Sequence, residues 1–383
     1  MTVKYRVLSF SVSVMLAWQG TALAEDILVK IGHVSPLSGP SAHMGKDTED
    51  GARMAIEDLN ARSISIGGKK ARFELVAEDD GSDPKQATTA AQKLVDAKVN
   101  AVIGHMNSGT TIPASKIYNI AGIPQISPSA TNPKYTQQGF NTAFRVVAND
   151  GQLGGTLGRY AVQVTQAKTI AVIDDRTSYG QGVADEFIKG ATAKSRSVVI
   201  LPRQYTTDKA TDFNAILTAI KGKKPDLIFF GGMDAVGGPM LRQMQQLGID
   251  AKFMGGDGIC STELVKLAGD ALGEGKIVCA EAGGVEEGMK GGLEKFKADF
   301  SKKFGHPVVL NAPYAYDAVM TVVSAMQKAG SAEPVKYLPV LANIQYKGVT
   351  GNIAFDQHGD IRDGTLTLYT YKGGKRELIT VTR

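Results

Sequence analysis

The chain has 383 residues and a formal net charge of +5, long enough for two compact domains with large cores. Its charges are interspersed, with no basic stripe carrying aromatics, so no nucleic-acid partner is expected. Several common catalytic motifs are missing as well: there is no phosphate-binding G-x-x-x-x-G-K-[ST] loop, no H-E-x-x-H and no G-x-S-x-G elbow.

The N-terminus reads as a secretory signal. Lys4 and Arg6 are followed by an apolar run, Val7–Trp18, too short to span a bilayer, and then by Ala22-Leu23-Ala24, a small-x-small cleavage site. Residues 1–24 are therefore expected to be removed after Ala24, leaving a mature chain of net charge +3 in the periplasm. No cysteine follows the cleavage point, and no later run is long enough to cross a membrane, so a soluble product is expected. The two cysteines, Cys260 and Cys279, suit one disulfide in an exported protein; the alternative, a metal site, is poorly served by two thiols without adjacent histidine.

From Ile27 apolar strands alternate with amphipathic helices. Strands are predicted at Ile27–His33, Phe73–Glu78, Ala101–Ile103 and Gln125–Ser127, then at Thr169–Asp174, Ser197–Leu201, Leu227–Gly231, Phe253–Gly255 and Lys276–Ala280. Helices are predicted between them over Gly45–Ala61, from Asp83-Pro84 to Asp96, and over Gly180–Lys194, Ala210–Lys221, Ala235–Leu247 and Gly292–Phe304. This α/β punctuation implies two doubly wound parallel sheets covered by helices. After them come helices near Asn311–Lys328 and Val335–Ile344, and strands near Asn352–Phe355 and Leu366–Tyr371. Such a tail can return to the first domain and then the second, with a hinge of several short crossings.

Ligands of open parallel sheets bind beyond the carboxyl ends of the strands. Those ends here are "SPLSGPSAHMG", "DDGSDP", "VIGHMNSGTTIP", "SPSATNP", "DDRTSYGQG", "GGMDAVGG" and "GGDGICS", rich in small polar residues. In the third of these, hydroxyls crowd the handover from strand to helix. They serve either as helix caps or as a seat for an anion at a helix N-terminus. His33 and His105, at strand ends, can be a base, a ligand or simply rim residues.

The ordered set "ILVKIGHVSPLSGPSAHMGKDTEDGARMAIEDLNA", "DDGSDPKQATTAAQKLV", "VIGHMNSGTT", "GIPQISPSATNP", "DRTSYGQG", "GGMDAVGGPMLRQMQQLG" and "FMGGDG" resembles the periplasmic leucine/isoleucine/valine-binding proteins of amino-acid ABC importers. The resemblance covers nearly the whole mature chain. It implies a type I periplasmic-binding fold with two lobes, a cleft and three crossings. The lobes would be residues 25–149 with 282–354, and 150–281 with 355–383. It also implies no cofactor, no enzymatic turnover, a monomer, and a membrane permease as partner.

Site residues carry over position by position. Ser108 matches the serine that holds the ligand α-carboxylate at a helix start. Ser129 and Thr131 match positions that bind the carboxylate and ammonium, and Tyr179 matches an aromatic of the second lobe. Asp257 stands where the family commonly has Glu against the α-ammonium, and Met44 and Met233 stand where tyrosines often flank the ligand side chain. The family's usual disulfide is missing, because its cysteines are absent near Gly81 and Asn107. Relatives of this architecture bind amides, urea or aromatic acids, and a sensing subunit or an exported hydrolase are further alternatives.

Overall fold

The structure is a computed structural model in which residues 1–3, 26–193, 197–285 and 287–383 are described. Apart from its first three residues, the predicted signal segment lies outside them.

The first lobe opens with β1 (Ile27–Ser35), α1 (Ala42–Ala61), β2 (Ser65–Ile66), β3 (Lys69–Asp79) and α2 (Pro84–Asp96). It continues with β4 (Ala101–Gly104), α3 (Ser108–Ala121), β5 (Gln125–Ser127) and β6 (Ala143–Arg145). Its sheet has the order β2-β3-β1-β4-β5-β6 and is parallel except for the β2–β3 hairpin. The strands are apolar on both faces because helices cover both. Val29, Ile31, Ala101, Ile103 and Ile126 are fully buried, and so are Val34 and Val102 on the opposite side. Asp83 caps α2 as expected, accepting the N–H groups of Lys85 and Gln86.

The second lobe runs through α4 (Asp150–Gln163), β7 (Thr169–Asp174), α5 (Ser178–Ala193), β8 (Val199–Ile200), β9 (Gln204–Tyr205) and α6 (Asn214–Lys221). It goes on through β10 (Leu227–Gly231), α7 (Asp234–Gln246), β11 (Lys252–Gly255), α8 (Leu264–Ala268) and β12 (Ile277–Glu281). The chain then adds α9 (Lys290–Phe304), α10 (Ala312–Ala329), α11 (Pro334–Ala342) and the hairpin β13 (Tyr346–Lys347) and β14 (Asn352–Ile353). Here α10 packs on α1 of the first lobe. The last strands, β15 (Leu366–Lys372) and β16 (Lys375–Thr382), extend the second sheet, whose order is β16-β15-β12-β11-β10-β7-β8. They pair antiparallel to their neighbours, so this sheet is mixed at one edge rather than parallel throughout.

Three segments pass between the lobes, after β6, after β12 and before β15. They are tied together. Ala148 N–H donates to the Ala282 carbonyl at 3.0 Å and Arg145 N–H to the Gly359 carbonyl at 2.9 Å. The fully buried Arg145 side chain bonds Asp360 at 2.6 Å and the carbonyls of Ala130 and Asn132. Cys260 and Cys279 form a disulfide that joins the turn after β11 to β12.

Helix α4 was not expected. Its stretch "DGQLGGTLGRYAVQ" carries four glycines, which lower helix propensity. The glycines let α4 lie against α5. A Cβ on Gly158 would stand 2.2 Å from the Phe187 carbonyl oxygen, and one on Gly190 would stand 2.3 Å from that of Gly155. Close packing supplies the stability that propensity withholds.

Candidate ligand-binding site

In each sheet the strand order reverses beside the first strand. β1 lies between β3 and β4, and β7 lies between β8 and β10. The chain ends leaving β1, β4, β7 and β10 therefore converge on the interlobe cleft, where open α/β sheets bind ligands. They bring Met44, Met106, Asn107, Ser108, Tyr179 and Met233 around one pocket, which Ser129 after β5, Asp257 and Gly258 after β11, and Leu310 and Asn311 before α10 complete. Six of the seven expected ligand residues line it. The seventh, Thr131, is fully buried behind it, next to Asp150.

The α3 end of the pocket is built for an anion. Helix α3 begins at Ser108, and Asn107 is its N-cap residue. Capping is not what the hydroxyls do. Asn107 makes no side-chain cap bond; Thr110 donates to the Asn107 carbonyl, and Thr111 donates to the carbonyls of His105 and Asn107. Ser108 Oγ accepts the Asn132 N–H at 3.2 Å, so its own O–H remains to donate. Ser129 Oγ instead donates to the Met106 carbonyl at 2.8 Å, which leaves its lone pairs to accept. A free hydroxyl at a helix N-terminus suits a carboxylate.

Across the pocket stands Asp257, fixed by a turn after β11. Its neighbour Gly258 donates its N–H to the Tyr179 hydroxyl at 2.9 Å. A Cβ on Gly258 would stand 2.6 Å from the Gly232 carbonyl oxygen and 2.8 Å from the Tyr179 ring, so only glycine lets the three segments meet. Asp257 is buried and its Oδ1 has no hydrogen-bond partner. Burial pushes its carboxyl up to about 6, against the pull of the Tyr179 hydroxyl and the N–H groups of its own turn. A buried carboxylate oxygen without a donor is costly, and an ammonium group would supply one.

Between these ends lie Met44, Met106, Met233 and Leu310, the first three in one apolar cluster with Val309. Thioethers and an isobutyl group make a deformable apolar wall. Leu310 and Asn311 escaped the sequence reading because they belong to the approach to α10, far from any motif. What holds them is Asp47, whose carboxylate accepts the N–H groups of Val309, Leu310, Asn311 and Ala312 at 2.7–3.1 Å. Another residue missed is Asp150, buried, without partners for either oxygen and pushed by burial up to about 8. The two histidines weighed earlier lie elsewhere. His33 bonds Ser35 and is pushed down by burial to about 3; His105 bonds Asp80 and Tyr118.

Two sheets with a shared cleft, three crossings and facing seats for opposite charges define a hinged solute-binding protein. The family model "Periplasmic binding protein" matches residues 28–375. The leucine-, isoleucine-, valine-, threonine- and alanine-binding protein of Pseudomonas aeruginosa is 34% identical over 362 residues, covering 94% of each chain. A Leu/Ile/Val-binding protein homologue of Brucella abortus is 36% identical over 365 residues, covering 95% of each. Among solved structures, a leucine-binding protein of Thermotoga maritima superposes with TM-score 0.84 at 26% identity, covering 92% of this chain and 98% of its own. A branched-chain amino acid transporter substrate-binding protein of Streptococcus pneumoniae, in complex with isoleucine, gives TM-score 0.82 at 28% identity, covering 92% and 99%. This chain belongs to the periplasmic leucine/isoleucine/valine-binding protein family.

Proposed function

We propose that this protein captures an L-amino acid with an aliphatic side chain, leucine, isoleucine or valine, and delivers it to the membrane permease of an ABC importer. The observation that carries the reading is the buried Asp257 carboxylate, with an unpartnered Oδ1, facing the Ser108 helix start across an apolar pocket. Such a pair of seats fits a zwitterion. An aromatic acid would leave the carboxylate buried without a donor, and an uncharged amide would offer it a neutral N–H in place of a cation. The names of the relatives point the same way.

In this reading the Ser108 hydroxyl and the first N–H groups of α3 hold the α-carboxylate. Asp257, Ser129 and Tyr179 hold the α-ammonium, while Met44 and Met233 pack on the side chain. Thr131 supports the site from behind. Ligand binds one lobe, and the lobes close by hinge motion at the crossings near residues 149/150, 281/282 and 354/355. The working form is a monomer in the periplasm, cut after Ala24. A thermal-shift panel on refolded, ligand-stripped protein tests this, using the L-amino acids, acetamide, urea and benzoate. A ligand at 100 times its dissociation constant stabilises by about 2.7 kcal/mol. Shifts with leucine, isoleucine or valine are expected; a response confined to benzoate or amides refutes the assignment.

A further inference from the structure

Outside the ligand pocket the two lobes are joined by another charged contact. His43, in the first turn of α1 in the first lobe, places Nε2 2.9 Å from Asp234 Oδ2 at the start of α7 in the second. Asp234 is fully buried, while the His43 side chain is a quarter exposed. The same oxygen accepts the Ser261 hydroxyl, and Asp234 Oδ1 has no partner. Close by, Asn132 of the first lobe donates to the Ser178 carbonyl of the second at 2.6 Å. Asp234 directly follows Met233, a wall of the pocket. His43 therefore reaches the second lobe where that lobe touches the ligand.

We infer that His43 is a positioning residue for capture: its pairing with Asp234 latches the closed lobes and makes closure, and with it affinity, depend on pH. This rests on the reading that the lobes close over a ligand. Opening would separate the pair and return the imidazole to water. The groups facing His43 are Asp234 from α7, Glu263 from the turn before α8, and the Pro40 carbonyl. Glu263 is itself paired with Lys266. Arg176, Asp208 and Lys209 line the adjoining opening beside Pro40 and Ser41. Burial lowers the His43 pKa, but the hydrogen bond and charge of Asp234, with the charge of Glu263, raise it above its ordinary value overall. The sign follows. A proton on His43 is held more tightly in the closed form, so closure is favoured at low pH. The gain is lost as pH rises through the closed-state value.

The test needs no ligand at first. Dyes attached at exposed Thr89 on α2 and Thr218 on α6, both changed to cysteine, report lobe separation, the native cysteines being joined to each other. Between pH 8.5 and 5.5 the wild-type chain is expected to shift toward the closed distance, while His43→Gln stays flat. Asp234→Asn, a second way to remove the pair, stays flat too. Titration with L-leucine gives the second reading. The ratio of the His43→Gln to the wild-type dissociation constant should be about fivefold at pH 6 and approach one at pH 8.5. Identical dye profiles for wild type and His43→Gln, with a ratio that does not change with pH, overturn the latch. If wild type binds no leucine while the dye profiles differ as stated, the amino-acid assignment fails and the latch stands.

Discussion

Asp47 is the sharpest place to perturb the pocket without touching its ligand seats. Its carboxylate, 1% exposed, takes Val309 N–H on Oδ1 at 2.8 Å, and those of Leu310, Asn311 and Ala312 on Oδ2 at 3.1, 2.7 and 2.9 Å. Asp47→Ala strands four donors. At about 1–3 kcal/mol for each unsatisfied buried group the sum would rival the whole stability of a domain, about 5–15 kcal/mol. Two effects reduce it. Removing the carboxylate also removes its own burial cost, which already raises its pKa despite the four bonds. The segment can also move toward water. We expect a loss of about 3–5 kcal/mol, the range for breaking a buried charged contact, measured by urea unfolding of the ligand-free protein. Asp47→Asn keeps one acceptor, which can face the three N–H groups on the Oδ2 side, and should lose about half as much. Binding carries a second signature. Leu310 is a wall against a long side chain and offers little to a short one, so leucine should lose about tenfold relative to alanine in Asp47→Ala. A variant within about 1 kcal/mol of wild type, with the leucine-to-alanine ratio unchanged, would refute the reasoning.

Asp257 must be ionised to pair with an ammonium group, and burial pushes its carboxyl up to about 6 in the unliganded pocket. In the His43→Gln background, leucine affinity by calorimetry should be constant above about pH 7 and weaken as pH falls below about 6; affinity that improves on acidification contradicts the seat. Asp150 is pushed by burial up to about 8, so its ionisation costs stability that is felt from the ordinary carboxyl range upward and grows with pH until about 8. Asp150→Asn should therefore stabilise the protein by about 2–4 kcal/mol at pH 8 and by little at pH 4; a variant less stable than wild type at pH 8 opposes this. The disulfide closes a loop of sequence separation 19. Changing both cysteines to serine should cost about 3 kcal/mol by chain-entropy arithmetic, read from urea unfolding.

Much of this was legible because two periods repeat down the chain. Buried strands such as Ala101–Gly104 and Leu227–Gly231 are apolar on both faces, which is what a sheet covered on both sides requires. The loops at their carboxyl ends stood out by their small polar residues. Other elements had no local signal. Helix α4 is written in glycines whose purpose appears only when α5 lies against them. Strand β16 is exposed or half-buried along its whole length, a covering edge with little apolar alternation to reveal it. Helix α6 starts at Asn214 rather than near Ala210; residues 210–213 take no regular structure, and the Phe213 N–H donates to the Gln243 side chain.

The site divides in the same way. Ser108 and Tyr179 open the helices that follow β4 and β7, and Asp257 sits in the turn after β11, where topology forces convergence. Leu310, Asn311 and Asp150 come from other parts of the chain, and only the folded arrangement brings them near. The hydroxyls of Thr110 and Thr111 show the limit of reading composition. Their type suits a cap, yet both donate to carbonyls at the entry of α3 and leave the helix start to the pocket.

The central claim is that one ligand spans the Ser108 and Asp257 seats as a zwitterion. Calorimetric titration of stripped protein at pH 7.5 with L-leucine, 4-methylpentanoate and 3-methylbutylamine separates the two charges on the same aliphatic frame. Each analogue lacks one partner and leaves the other seat unfilled, at about 2–5 kcal/mol for a buried charged contact, so both should bind at least about thirtyfold more weakly than leucine. Binding of 4-methylpentanoate as tight as that of leucine would contradict the account, since Asp257 would then have no ammonium to meet.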